Sequence, residues 1–89
     1  PAAERQGSRV VTANGSEVTA QYQRGAEAAL YWARLFHCTK AILKEKSPSC
    51  GHGQIYDGTF SRTLTAGDGV TAELLRAEGL EIIGESDLP

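Results

Sequence analysis

The chain has 89 residues, of which 40% are hydrophobic and 22% are charged, and its formal net charge is −2. This length fits one small domain, and the weakly acidic balance lacks the basic patch that duplex nucleic acid requires, although it permits a nucleobase in a pocket. No apolar run approaches the ~20 residues that cross a bilayer and no signal peptide opens the chain, so we expect no membrane association and a cytoplasmic location.

The first half of the chain begins with one predicted short strand. Residues 1–8 are polar and are expected to be irregular, whereas residues 9–12 include the β-branched side chains typical of a strand. Asn14 and Gly15 form a turn signal, because both residues tolerate positive φ angles. Ser16 then stands where a helix would need its N-terminal cap.

Apolar side chains recur at helical spacing over residues 17–36. Steps of three and four residues are typical of one buried helix face. The residues on this face are Val18, Tyr22, Ala26, Ala29, Ala33 and Phe36. Gly25 lowers helix stability by about 1 kcal/mol relative to alanine. We therefore predict a helix over residues 17–36, with a bend or a close contact at Gly25.

A short apolar run and a long loop follow this helix. Residues 41–43 have the composition of a central parallel strand that is buried on both faces. Residues 45–69 form a loop of about 25 residues, which is long for a small domain and therefore indicates function. Residues 55–56 and 59–60 are predicted to be short extended pieces inside it.

The chain closes with a predicted helix and strand. Asp68 is predicted to cap a helix over residues 70–78, and Gly79 to end it in the left-handed conformation. Residues 80–83 follow as a strand. The order β-α-β-loop-α-β predicts a single α/β domain over residues 1–89, a small three-layer Rossmann-like fold with a parallel sheet.

The long loop starts at the carboxyl end of the predicted central strand, where ligands bind in parallel sheets. Its cysteine, Cys50, has Lys44, Lys46 and His52 nearby, and positive neighbours favour the thiolate that attacks carbon or binds metal. An inert thiol and a metal-free thiol enzyme are the alternatives for Cys50. Cys38 precedes the strand, is too far from Cys50 for a disulfide, and is predicted to be a packing cysteine.

Other polar loop residues have both functional and structural interpretations. Ser47 and Ser49 either carry a proton or donate hydrogen bonds to a ligand, or they satisfy the backbone of the turn. His52 is either a ligand or base, or a solvated loop histidine. Asp57 and Gly58 have the composition of a turn.

Three strings give the chain a family resemblance. ILKEKSPSCG occupies residues 42–51, GQIYDGTF residues 53–60 and GDGVTAELL residues 67–75. Together they closely resemble the thiouracil desulfidase family, long catalogued as a domain of unknown function, and the similarity extends over nearly the whole chain. The resemblance implies a bacterial α/β desulfidase that holds a [4Fe-4S] cluster through three cysteines and removes sulfur from a thiolated nucleobase such as thiouracil.

The resemblance also assigns site residues. Cys50 matches the family's cysteine in SPSCG and is therefore expected to be a cluster ligand. Ser47 matches the first serine of the motif and is assigned to catalysis. Glu45, two residues before it, is assigned to catalysis as well. The substrate-binding residues are expected to be Lys44, Ser49 and Gly51.

One departure from the family is large. Family members carry two further cysteines in a segment upstream of a proline-rich tail that residues 1–4, PAAE, resemble. A cubane cluster takes about three or four protein ligands, so we expect this chain to be the carboxy-terminal portion of a longer desulfidase-like domain. The alternative is a non-catalytic α/β module that binds a small ligand or forms a homodimer through an exposed sheet edge.

Overall fold

The computed structural model describes residues 2–87 as strands and helices in mixed order. No helix over these residues is long and apolar enough to cross a membrane. The elements are β1 (Ala3–Gln6), β2 (Arg9–Thr12), α1 (Thr19–Leu35), β3 (Lys40–Leu43), β4 (Gln54–Tyr56), β5 (Leu64–Ala66), α2 (Val70–Ala77) and β6 (Glu81–Gly84), followed by a 3-10 turn at Glu85–Asp87.

The first two strands form a tight antiparallel hairpin. β1 pairs with β2 so that Gln6 lies opposite Arg9, which leaves Gly7 and Ser8 as a two-residue turn. Gly7 has a φ of 61°, as such turns require. The prediction that residues 1–8 are irregular is therefore wrong from Ala3 onward, and β2 belongs to this hairpin rather than to the parallel sheet.

The long helix is confirmed as α1, but its predicted cap is wrong. The residue that precedes α1 is Val18, and the helix runs without interruption through Gly25. Ser16 instead belongs to the turn after β2, where its backbone N–H donates to Oγ1 of Thr12 at 3.1 Å.

Burial along α1 follows the predicted face only in part. Ala26 and Leu30 are buried against the rest of the domain. Phe36, predicted to lie on the same face, is 68% exposed. The prediction therefore fails at the carboxyl end of the helix, where residues 2–87 provide little to pack against.

A parallel pair confirms the predicted strand partners. β3 pairs in parallel with β6, and Ala41 lies opposite Ile82. Among residues 2–87, β6 is the only strand in this sheet beside β3. The prediction that β3 is buried on both faces is wrong, since Ile42 is 55% exposed. The structure is thus a mixed helix-and-strand domain with a parallel pair, while the three-layer Rossmann-like order stays a prediction.

The long loop contains a hairpin of its own. β4 pairs antiparallel with β5, which confirms extended structure at residues 55–56. Residues 59–60 are not extended, because they belong to the connection between these strands, where Phe60 has a φ of 60°.

Helix α2 ends with the motif that the sequence predicts. Gly79 has a φ of 93°, its N–H donates to the Arg76 carbonyl, and the Leu80 N–H donates to the Leu75 carbonyl, both at 3.0 Å. This pair of bonds defines a Schellman cap. The chain thereby passes directly from α2 into β6. Ala72 and Leu75 of α2 pack with Leu30 and Ile82 in the hydrophobic core.

Candidate functional site

The segment Ser47–Gly51 folds into a compact turn around the Ser47 side chain. The backbone N–H of Cys50 donates to Oγ of Ser47 at 2.8 Å, and the N–H of Gly51 donates to the Ser47 carbonyl at 2.9 Å. The hydroxyl therefore accepts a bond that fixes the backbone of the cysteine. The turn-satisfying interpretation of Ser47 is correct, and its hydroxyl proton can still donate elsewhere.

This turn caps helix α2 with main-chain oxygens. The Val70 N–H donates to the Pro48 carbonyl, and the Thr71 N–H to the Ser49 carbonyl, both at 2.7 Å. These bonds satisfy N–H groups that have no partner inside a helix. Asp68 was predicted to be the cap, but the residue preceding α2 is Gly69, and no side chain caps the helix.

Two glycines allow the turn and the helix to lie this close. A Cβ added to Gly69 would stand 2.5 Å from the Ser49 carbonyl oxygen and 2.6 Å from the Cys50 nitrogen. A Cβ added to Gly51 would stand 2.5 Å from Cγ2 of Ile55. The space beside Gly51 is therefore filled by the chain itself, and its assignment to substrate binding stays a prediction.

Cys50 is a free, half-buried thiol in this turn. Its Sγ lies 3.6 Å from Oγ of Ser49, which in turn bonds Oγ1 of Thr71 at 2.9 Å. Within residues 2–87, no group of three or more histidine, cysteine or acidic side chains is placed to hold a metal ion. Cys38 is exposed, so its prediction as a packing cysteine is wrong.

Asp68 joins the Cys50 loop to the surface of α2. Its Oδ1 accepts the Gly53 N–H at 2.8 Å, and its Oδ2 pairs with Arg76 at 3.1 Å. Arg76 also contacts Nδ1 of His52 at 2.6 Å. His52 is therefore tied to the helix rather than solvated as an isolated loop side chain, and its ligand or base role remains a prediction.

We expect Asp68→Ala to lower the free energy of unfolding by about 1–3 kcal/mol, because it removes a mostly buried acceptor from Gly53 and Arg76. Urea denaturation followed by circular dichroism measures the change. Glu17→Ala is the matched control: its pair with Arg9 is half-exposed, so we expect a loss below about 1 kcal/mol. Equal losses in both variants would contradict this role of Asp68.

An open cleft of about 540 Å³ lies beside the turn, and Cys50 is not among its lining residues. It brings together three predicted site residues with two aromatic rings. The relevant lining side chains are Tyr22, Lys44, Glu45, Lys46, Ser47 and Tyr56.

Glu45 is already occupied by contacts within the chain. Its Oε1 accepts the Ser86 N–H at 2.7 Å, and its Oε2 accepts the Ser86 hydroxyl at 2.8 Å. The carboxylate therefore holds the turn after β6 while it lines the cleft. Its assignment to catalysis is neither supported nor contradicted by these bonds.

Two features of this region were not predicted from the sequence. Tyr22 lines the cleft although it was assigned to the packed face of α1, and Ala3 lines it although it was expected to be irregular. Gly7 and Ser8 carried a usable signal, because Gly-Ser between two short runs is typical of a hairpin turn. No local signal identified Tyr22 as a cleft residue, because helical spacing is the same for a side chain that lines a cleft and for one that packs in the core.

Asp57 and Gly58 form the predicted turn at the end of β4. The Asp57 carboxylate accepts bonds from the Thr59 hydroxyl and the Thr59 N–H. These bonds, the hydroxyl first, hold the pKa of Asp57 below its usual value. Gly58 donates its N–H to Glu4 at 3.0 Å, which ties the turn to β1.

A family model and a solved structure indicate the same family for this chain. Residues 2–87 match the sequence model of the family described as 2-thiouracil desulfurase. The uncharacterized protein YbbK of Bacillus subtilis (strain 168) is 47% identical over 81 residues, which cover 91% of this chain and 54% of that protein. A solved structure of the [4Fe-4S]-dependent thiouracil desulfidase TudS aligns with a TM-score of 0.97 at 49% identity and covers all of this chain.

Both similar proteins are longer than the matched region. The chain spans 54% of the curated relative and 59% of the solved chain. The structural match therefore covers this whole chain, the sequence match to the relative covers 91% of it, and both matches are partial for the similar proteins.

Proposed function

Because the chain belongs to the 2-thiouracil desulfurase family, we propose that it is the carboxy-terminal portion of a cytoplasmic desulfidase that acts on a thiolated nucleobase such as thiouracil. The reaction exchanges the sulfur of a C=S group for the oxygen of water and releases sulfide. The observation that carries the proposal is the TM-score of 0.97, at 49% identity, to a [4Fe-4S]-dependent thiouracil desulfidase.

The residues of this chain do not by themselves fit a [4Fe-4S] cluster. Such a cluster takes about three or four protein ligands, whereas Cys50 has no group of further ligands around it within residues 2–87. We propose that Cys50 supplies one thiolate and that the other ligands come from the part of the family's length that this chain does not span. The fixed backbone of the Ser47–Gly51 turn favours this role, because a ligand held in place loses little freedom on binding.

The cleft beside the Ser47–Gly51 turn has the chemistry to bind a planar nucleobase. Tyr22 and Tyr56 offer aromatic faces, and Lys44 offers a cation that complements electron-rich oxygen or sulfur on a pyrimidine ring. A pyrimidine is small enough for a cleft of about 540 Å³, within the usual range for small-molecule sites. Ser49 faces Thr71 and Cys50 instead, so its predicted contact with substrate has less support than that of Lys44.

We propose Ser47 as the residue of this chain that moves a proton at the site. Ser47 lines the cleft and its Oγ accepts the Cys50 N–H, which leaves the hydroxyl hydrogen available for donation to a bound ligand. A positioned hydroxyl can donate this proton while it receives another from solvent. Glu45 lies next to it in the same wall and is proposed as the weaker partner, because Ser86 occupies both carboxylate oxygens.

We expect Ser47→Ala to lower kcat by about 100-fold, as is typical when a positioned proton donor is lost. Ser47→Thr keeps a hydroxyl and is expected to restore much of the rate. Ser49→Ala is the matched control, because it removes a hydroxyl that is bonded to Thr71 and belongs to a residue that does not line the cleft. Steady-state rates of sulfide release distinguish the variants, and equal loss in both serine-to-alanine variants would contradict the role of Ser47.

The proposal as a whole is tested on the complete reading frame that contains this chain, purified without oxygen. We expect about four iron and four sulfide per protein, together with conversion of thiouracil to uracil. Iron below one per protein after reconstitution, with no sulfide released, would refute the proposal.

One observation favours a second candidate function. Within residues 2–87, the chain has a defined cleft beside the Ser47–Gly51 turn, and Cys50 does not line it. A module that binds a small molecule or a partner without catalysis would have these properties. Thiouracil binding by a preparation that contains neither iron nor activity would favour this candidate.

A further inference from the structure

The Glu4 side chain connects the first hairpin to the turn at the end of β4. Its Oε1 accepts the Gly58 N–H at 3.0 Å and the Phe60 N–H at 3.1 Å. Gln6 lies on the same face of β1 and donates from Nε2 to the Gly58 carbonyl at 2.8 Å. Two backbone donors on a single oxygen fix the orientation of the Glu4 carboxylate, because neither donor can rotate away as a side chain would.

The second oxygen of this carboxylate is available to a ligand. Within residues 2–87, both hydrogen bonds of Glu4 end on Oε1, and Oε2 has no partner. No buried side-chain oxygen in that range lacks a partner, so Oε2 is open to solvent. Glu4 also lines the cleft of about 540 Å³ beside the Ser47–Gly51 turn. Because Ser86 occupies both oxygens of Glu45, the other carboxylate in this lining, Glu4 is the one with a free acceptor.

The hydrogen-bonding groups of the cleft lining match one edge of thiouracil. That edge presents a C=O or C=S acceptor on each side of the N3–H donor. Lys44 has only donors, and the Ser47 hydroxyl hydrogen is available for donation. The Glu4 carboxylate has only acceptors. The lining therefore supplies donors for the two acceptors of the edge and an acceptor for the N–H between them.

We propose that Oε2 of Glu4 accepts the N3–H of the pyrimidine ring and thereby selects substrates whose thiocarbonyl carbon is bonded to a ring N–H. N3 is flanked by C2 and C4, so one acceptor serves a thiocarbonyl at either carbon. The inference rests on the proposed function and narrows its substrate class to cyclic thioamides that carry this hydrogen. A ring nitrogen without hydrogen would leave two acceptors face to face, and the desolvated carboxylate oxygen would gain no partner.

Equilibrium binding to the complete protein that contains this chain tests the selection without turnover. Uracil, 3-methyluracil and cytosine hold no sulfur, so calorimetry measures their affinities alone. We expect uracil to bind at least roughly tenfold more tightly than either of the other two. Cytosine lacks the N3 hydrogen without adding the bulk of a methyl group. Equal affinities for uracil and cytosine in the unmodified protein would overturn the proposal.

Glu4→Gln exchanges the acceptor for a donor and keeps the anchor. The amide oxygen can accept the Gly58 and Phe60 N–H groups, which places the amide nitrogen where Oε2 stood. We expect the preference for uracil over cytosine to fall at least roughly tenfold, because the amide opposes N3–H and donates to an N3 without hydrogen. An unchanged preference in Glu4→Gln would overturn the proposal.

Gln6→Ala is the matched control, because Gln6 holds the same turn but does not line the cleft. We expect it to change the preference for uracil over cytosine by less than about twofold, even if the protein becomes less stable. An equal fall in Gln6→Ala and Glu4→Gln would mean that anchoring of the turn sets the preference, and the role of Oε2 would be overturned.

Sulfide release from thiouracil by the same preparations separates this inference from the proposed function. We expect Glu4→Gln to raise KM at least roughly tenfold and to change kcat less, because the bond to N3–H is present before and during the reaction. A protein that prefers uracil but releases no sulfide would contradict the proposed function and support the role of Glu4. Sulfide release without a preference for uracil would do the reverse.

Discussion

Cys50→Ser is expected to abolish iron binding and desulfidase activity in the complete protein. With the proposed Cys50 thiolate removed, a cubane cluster would have too few protein ligands to be retained, so iron should fall from about four per protein to near zero. Iron and acid-labile sulfide analysis, with the visible absorption of the cluster, measure this. The side chain lies half-buried in a fixed turn, and serine is close in size, so the fold should survive.

Cys38→Ser is the matched control for this result. Cys38 is the only other cysteine of the chain. It is exposed, and it lies after α1 rather than in the Ser47–Gly51 turn. We expect it to leave iron content and activity unchanged. Full iron in Cys50→Ser, or equal loss in both variants, would contradict the assignment of Cys50 as a ligand.

Gly69→Ala is expected to lower the free energy of unfolding by about 3 kcal/mol. The new Cβ would meet the Ser49 carbonyl oxygen and the Cys50 nitrogen within 2.6 Å. Both are backbone atoms, so the clash cannot be relieved by rotating a side chain. Because the displaced turn carries Cys50, we also expect weaker iron binding in the complete protein. Thermal and urea unfolding followed by circular dichroism give the stability change.

A second glycine-to-alanine change isolates the steric effect. Gly25 lies inside α1 with nothing within 4 Å of a Cβ. Alanine there should raise the free energy of unfolding by about 0.5–1 kcal/mol, because it stabilises the helix without a clash. A loss of stability in Gly25→Ala, or no loss in Gly69→Ala, would show that the close approach at Gly69 does not limit stability.

The fold could be predicted from the sequence where local pattern and tertiary packing agree. The helical spacing of residues 17–36 identified α1, and Gly79 marked the end of α2, because both signals depend on neighbouring residues alone. The caps at Ser16 and Asp68 were wrong for the opposite reason. The backbone of Ser16 is bonded in the turn after β2, and the Asp68 carboxylate is bonded to Gly53 and Arg76; these contacts outweigh the local capping preference.

The candidate site shows the same division. The SPSCG string identified the turn around Ser47 and Cys50, because the bond between them spans three residues. The contact of Glu45 with Ser86 spans 41 residues and has no local signature. The exposure of Ile42 could not be predicted from the sequence either, because an exposed apolar strand and a buried one have the same residue composition.

The main-chain capping of α2 makes the Cys50 turn and this helix a single cooperative unit. The N–H groups of Val70 and Thr71 lose their acceptors whenever Pro48 and Ser49 move away. Local opening of the turn therefore exposes the first turn of α2 to solvent exchange at the same time. The mobility of Cys50 is thus suppressed by the stability of an element that contains none of the proposed chemistry.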